Sequence, residues 1–148
     1  MQYLYIYSFG RVKDLAIQRL ISDISKRIKY FKHIELKEYK GKSPLEIQSF
    51  EKEELYKKVF SKHSKVIICS ESGEVYTTTA FANFLHSFDD EIVFVISGAF
   101  GPHIDIINKA HYCVSLSQLT FTHEMALYIL LEQCYRAQCI ENNISYTK

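Results

Sequence analysis

Tryptophan is absent from the 148 residues, so aromatic packing falls to single rings, eleven tyrosines and ten phenylalanines. An excess of one charge is also missing: 18 Lys and Arg stand against 17 Asp and Glu, a net charge of +1. Such a chain has no global field to attract nucleic acid, and any RNA contact has to come from a local patch. No apolar run reaches the roughly 20 residues that span a bilayer. Met1–Tyr7 alternates polar and apolar residues and carries no basic leader, so a cytoplasmic protein without a membrane partner is expected. The four cysteines, Cys69, Cys113, Cys134 and Cys139, form no C-x-x-C pair and sit in apolar stretches, which suits reduced, buried thiols. His63, His86, His103 and His111 lie apart without ligand spacing, so no metal is expected. The sequence contains no G-x-G-x-x-G and no P-loop, which argues against a dinucleotide or nucleoside triphosphate site. It also lacks the G-x-S-x-G elbow of the α/β-hydrolases. No repeat, linker or low-complexity segment divides it, and residues 1–148 are expected to form one domain.

What is present alternates between strand and helix. Tyr3–Tyr7 is a β-rich run that ends at Ser8-Phe9-Gly10. Leu15, Ile17, Leu20, Ile21, Ile24 and Ile28 recur at helical spacing and predict an amphipathic helix over Lys13–Ile28. His33–Tyr39 alternates as a strand with one wet face. Ser43-Pro44-Leu45-Glu46 is a capped helix start, and the helix is expected to run to about Phe60. Lys65–Cys69 reads as a buried strand closed by a turn at Ser72-Gly73. A helix capped by Thr77 or Thr78 should reach Phe88. The strand Ile92–Ile96, a short helix over Asp105–Ala110 and the strand Tyr112–Leu116 follow. Thr122 caps a last helix that ends near Ile140. This alternation predicts an α/β fold, a mostly parallel sheet with helices on both faces. In the last helix, Met125–Leu131 is apolar without interruption, so its circumference has to be covered on more than one side. A second copy of the chain is the simplest partner, and a two-fold homodimer built on this helix is expected, with Leu130 at the contact.

Two polar turns stand out. Ser97-Gly98-Ala99-Phe100-Gly101 leaves one strand, and Ser115–Thr122 leaves the next. Each alone is an ordinary connector, with glycine supplying φ > 0 in the first. Together they can present backbone N–H and C=O groups to one small ligand beyond the carboxyl ends of the strands.

The chain resembles the ribosomal large subunit methyltransferase H family, a minimal branch of the SPOUT class of knotted methyltransferases. The resemblance spans essentially the full length. It rests on the opening Ile6-Tyr7-Ser8-Phe9-Gly10-Arg11-Val12-Lys13 and on Lys26-Arg27-Ile28. Ser97-Gly98-Ala99-Phe100-Gly101 falls where a Gly-Gly-x-x-Gly turn is usual. The most specific pair is Leu116-Ser117-Gln118-Leu119-Thr120-Phe121 with Leu131-Glu132-Gln133-Cys134-Tyr135-Arg136-Ala137. The family implies a deep C-terminal trefoil knot that holds S-adenosylmethionine, and a homodimer with its active site at the subunit boundary. Its activity is methylation of N3 of a pseudouridine in a stem-loop of large-subunit rRNA on the assembled ribosome. Carried over by position, the cofactor contacts are Cys69, Gly98, Ser117, Gln118, Leu119, Thr120, Phe121 and Thr122. Arg136 and Tyr146 are the catalytic candidates, and His123 and Lys148 the RNA-binding ones. The chain departs from the family pattern at Ser97 for glycine, Thr122 for proline, Leu127 for arginine, and Tyr146-Thr147-Lys148, where the tail usually carries a histidine after the tyrosine.

Methyl transfer from a sulfonium is an in-line displacement that needs alignment and exclusion of water. A cation that steadies the deprotonated base would assist, and Arg136 is the candidate; as an ordinary residue it would pair with Glu132 one turn away. Tyr146 stacks on a base or lies in a solvated tail. His123 contacts RNA or is structural. Lys26, Arg27, Lys29, Lys32, Lys37, Lys40 and Lys42, interleaved with Tyr30, Phe31 and Tyr39, form the densest basic region. The alternative is a catalytically impaired relative that binds RNA or ribosomes without methylating. A flavodoxin-like or other small α/β ligand-binding domain is a further reading.

Overall fold

The computed structural model describes residues 3–62 and 64–146; His63, Thr147 and Lys148 therefore lie outside the described residues. Five strands, β1 (Leu4–Phe9), β2 (Phe31–Leu36), β3 (Lys65–Val75), β4 (Ile92–Ile96) and β5 (Tyr112–Ser115), form one sheet in the order β2-β1-β4-β3-β5. Every pairing is parallel. Five helices alternate with the strands: α1 (Leu15–Ser25), α2 (Pro44–Lys58), α3 (Thr78–His86), α4 (Ile104–Lys109) and α5 (His123–Glu141). Strand β4 lies in the middle of the sheet and is buried along its whole length, as its unbroken apolar run requires.

The sheet is covered on both faces. Ile6, Ile67 and Phe94 point to the face packed by α1, α3 and α5, through Ile24, Phe81, Leu85, Leu127, Leu130 and Leu131. Tyr7, Val66, Ile68, Val93 and Val95 face α2 and α4, through Leu55, Val59 and Ile106. The helix starts follow local chemistry. Asp14, Ser43, Thr77 and Thr122 each accept a hydrogen bond from a first-turn backbone N–H with the side-chain oxygen.

Helix α5 is where the expectation changes. Within one chain α1 and α3 flank it above the sheet, while Met125 stays exposed and Ala126, Tyr128 and Ile129 stay partly exposed. Leu127, Leu130, Leu131, Cys134 and Ala137 all belong to the core beneath. Polar ties hold it at three heights. Glu124 accepts from Lys13 N–H at 2.9 Å, Thr78 Oγ1 donates to Gln133 at 3.0 Å, and Gln138 both accepts from and donates to the backbone of Lys29 at 2.9 and 2.7 Å. Leu130, expected at a subunit contact, is fully buried in the protomer and is not a surface residue.

Strand β3 is the second correction. No turn forms at Ser72-Gly73. The strand continues to Val75, and both Cys69 and Glu74 lie opposite Val114, so residues 70–73 form a bulge against β5. A Cβ on Gly73 would come within 2.6 Å of the Val114 backbone, so only glycine permits this approach. The bulge takes Ser70–Ser72 out of the pairing with β5. Smaller shifts shorten α1 to Leu15–Ser25 and move β2 back to Phe31–Leu36.

Burial of Leu130 sets a direct expectation. Leu130→Glu would place a carboxylate among apolar side chains and should cost more than about 4 kcal/mol of stability. Chemical denaturation should find an unfolded or severely destabilised chain; a stably folded monomer would contradict the placement of α5.

Candidate functional site

The carboxyl ends of β3, β4 and β5 open into one cleft of about 930 Å³, within the roughly 300–1,000 Å³ range of small-molecule sites. Three segments enclose it. The β3 bulge contributes Cys69–Ser72, the turn after β4 contributes Ser97–Pro102, and the loop between β5 and α5 contributes Leu116, Ser117 and Leu119–Glu124. Asp14 and Ile17 at the start of α1 complete the wall.

The β5–α5 loop is shaped by its own hydroxyls. Ser115 Oγ donates to the Ser117 carbonyl at 2.8 Å, Ser117 Oγ accepts from Leu119 N–H at 3.0 Å, and Thr120 Oγ1 donates to Glu71 on the bulge at 3.1 Å. Thr122 then caps α5. The acidic side chains on the wall are Asp14, Glu71 and Glu124; among the described lining residues none is Lys or Arg. Burial raises the Cys69 thiol well above its ordinary value, so Cys69 presents a protonated, apolar surface rather than a nucleophile.

The turn after β4 is held from below. Gly98 N–H donates to Glu51 on α2 at 3.2 Å, and Gln48 on the same helix donates to the Phe100 carbonyl at 2.8 Å. Lys52 pairs with Asp105 at 3.3 Å. The missing Cβ at Gly98 leaves room for the Glu51 carboxyl, which a side chain there would displace. The left-handed position in this turn is Gly101, at φ 74°. Ser97 has no positive φ, so a side chain there costs the turn no backbone freedom.

Of the residues singled out from the sequence, Cys69, Gly98, Ser117, Leu119, Thr120, Phe121, Thr122 and His123 come together on this cleft, whereas Gln118 does not line it. Arg136 and Tyr146 lie elsewhere in the protomer. Arg136 follows His123 by thirteen residues of α5, about 20 Å at ~1.5 Å rise per residue. Its Nε donates to both oxygens of Glu132, at 2.7 and 3.0 Å, and its guanidinium lies 4.5 Å from the Tyr146 ring centroid. Tyr146 meets Tyr135 edge-on at 4.9 Å, and Arg27 lies over Tyr135 at 6.0 Å. Lys148 is outside the described residues.

The sequence matches the family described as predicted SPOUT methyltransferase over residues 2–147. The chain belongs to the SPOUT methyltransferase family. It is 35% identical over 144 residues to a protein of Prochlorococcus marinus (strain NATL2A) named ribosomal RNA large subunit methyltransferase H, covering 97% of this chain and 94% of that one. A protein of the same name from Ureaplasma parvum serovar 3 (strain ATCC 27815 / 27 / NCTC 11736) is 32% identical over 155 residues, covering 97% and 98%. Among solved structures, a probable methylase family protein from Haemophilus influenzae Rd KW20 superposes with a TM-score of 0.65 at 13% identity, over 99% of this chain and 71% of that one, a likeness of fold alone.

Glu51, which lies behind the turn after β4, is the supporting residue that sequence reasoning missed. A signal was available: Gln48, Glu51, Leu55 and Val59 recur on one stripe of α2, polar at the end nearest the cleft and apolar further along. Burial is the main cause that lifts the Glu51 carboxyl from 4.5 to about 7; the Gly98 N–H opposes it and the Glu38 charge adds to it. The folded chain therefore keeps this proton between pH 4.5 and 7 while the unfolded chain has released it, so stability falls as pH rises through that window and levels above it. Glu51→Gln should remove this component. Thermal melts of both proteins from pH 5 to pH 8 should show a smaller loss in the variant; parallel curves would contradict the raised carboxyl.

Proposed function

We propose that the chain is an S-adenosylmethionine-dependent methyltransferase that modifies N3 of a pseudouridine in a stem-loop of large-subunit rRNA, in the cytoplasm, on the assembled ribosome. Membership of the SPOUT family and the names of its relatives support this reading. The observation that carries it is the cleft's charge. A wall with Asp14, Glu71 and Glu124, and without Lys or Arg among the described lining residues, favours a cationic ligand and disfavours phosphate. That same wall opposes the flavodoxin-like reading, since a flavin nucleotide brings a phosphate. The backbone of the Ser97–Gly98 turn and main-chain groups of Ser117–Thr122 would hold the adenosyl part, while Ile96, Leu116 and Phe121 supply apolar walls. When bound, S-adenosylmethionine supplies an electrophilic methyl group on its sulfonium.

The chain's own residues then have three tasks: to align the acceptor nitrogen, to exclude water and to steady the anion formed at the base. Arg136 fits the last task by its permanent charge and planar fork. Its distance from the cleft of its own protomer requires a second chain. A homodimer with its active site at the boundary places Arg136 and Tyr146 of one protomer against the cleft of the other. The interface would use half-exposed surface of α5, such as Tyr128, Ile129 and Tyr135, rather than Leu130. In this reading residues 1–148 form one domain, the β5–α5 segment belongs to a C-terminal trefoil knot, and His123 and Lys148 contact RNA.

Isothermal calorimetry should detect micromolar-range binding of S-adenosylmethionine, and ribosomes lacking the modification should take up a labelled methyl group. Binding to ribosomes without methyl incorporation would favour a non-methylating relative, and no cofactor binding would reject the proposal. Subunit mixing tests the shared site. Arg136→Ala and Gly98→Val should each abolish transfer, whereas co-expression should restore about a quarter of wild-type sites, through heterodimers that hold one intact site. Activity in neither the single variants nor the mixture would contradict a site shared between protomers.

A further inference from the structure

One face of α2 carries three polar side chains at i, i+3 and i+4: two reach the turn after β4, Gln48 to the Phe100 carbonyl at 2.8 Å and Glu51 to Gly98 N–H at 3.2 Å, and Lys52 pairs with Asp105 in the first turn of α4 at 3.3 Å. Residues at these spacings share one side of a helix. Glu51 is the buried member, only 6% exposed, and it lies behind the turn rather than among the residues that line the cleft. A carboxyl so placed lowers stability unless its hydrogen bonds compensate. An apolar residue would suit the position better, since Leu55 and Val59 continue the same stripe into the core. A carboxyl in such a place suits a task other than stability.

The Ser97–Gly98 peptide shows what the task is. In a planar trans peptide the N–H and the preceding C=O point in opposite directions. Glu51 draws the Gly98 N–H toward α2, so the Ser97 C=O is directed away from α2; Ser97 and Gly98 both line the cleft. We propose that Glu51, assisted by Gln48, is a positioning residue that fixes the Ser97–Gly98 peptide so that the Ser97 carbonyl accepts a hydrogen bond from an N–H or O–H donor of the adenosyl ligand. Glycine at 98 belongs to the same device, because a Cβ would displace the carboxyl. This inference rests on the reading of the cleft as an S-adenosylmethionine site.

Two variants and one probe test it. The probe is S-adenosylhomocysteine, which keeps the adenosyl donors and lacks the methyl group. Glu51→Gln retains an acceptor for Gly98 N–H; Glu51→Leu removes it and fills the same space. Calorimetry at a temperature where all proteins are folded should show Glu51→Gln within about threefold of wild type, and Glu51→Leu weakened about tenfold or more, although its melting temperature is unchanged or raised. Loss of affinity without loss of stability is a combination that a merely structural carboxyl would not produce. Wild-type affinity in Glu51→Leu would overturn the proposal, as would equal weakening in both variants. Should Glu51→Leu fail to fold, Gln48→Ala decides: weakened binding supports the clamp and unchanged binding overturns it. A wild-type protein that does not bind S-adenosylhomocysteine would reject the reading of the cleft itself, and the clamp with it.

Discussion

The turn after β4 is built around the hydrogen bond from Gly98 N–H to Glu51. Several features of the chain follow from that contact. Residue 98 lacks the Cβ that would displace the carboxyl, the cleft end of α2 is polar, and β4 lies at the centre of the sheet, where the turn meets segments from both β3 and β5. Without the contact, the Ser97–Gly98 peptide would have no tie to α2 in its own plane. The cleft would then lose its fixed middle wall while the sheet below remained packed.

The remaining walls are positioned by a different means. The bulge in β3 is pressed on β5 at Gly73, and it carries Glu71 to Thr120 in the opposite loop. Glu124 ties the start of α5 to the start of α1 through Lys13 and Asp14. These two links join the last loop to elements that lie far away in sequence, so the site depends on long-range closure of the fold. The acidic side chains that make the links also set the charge of the cleft. Structural ties and electrostatic preference for a cationic ligand thus come from the same carboxylates.

Local chemistry was the most legible level in the sequence. Ser43, Thr77 and Thr122 cap helices where their types and spacing predict, and Ile92–Ile96 is the buried central strand its apolar run describes. The two polar turns share one cleft because both follow parallel strands, a consequence of strand–helix alternation that needs no knowledge of register. What was not legible depends on neighbours. An apolar circumference on α5 reports that partners exist but not which residue meets which; Leu130, assigned to a second chain, is covered within its own. Ser72-Gly73 has the composition of a turn, yet close approach by β5 makes it a bulge. Glu51 lies in a helix of charged residues, and only the tertiary position of α2 separates it from Glu54, which pairs with Lys58 on the same helix.

The adenosyl site is the claim on which function, dimer and positioning clamp all converge. A co-crystal structure with S-adenosylhomocysteine addresses it most directly. The ligand should lie between Gly98 and the Ser117–Thr122 main chain, with a donor of the adenosyl group within hydrogen-bond distance of the Ser97 carbonyl. Density for the ligand outside this cleft, or within it but turned so that neither segment touches the adenosyl group, would contradict the claim.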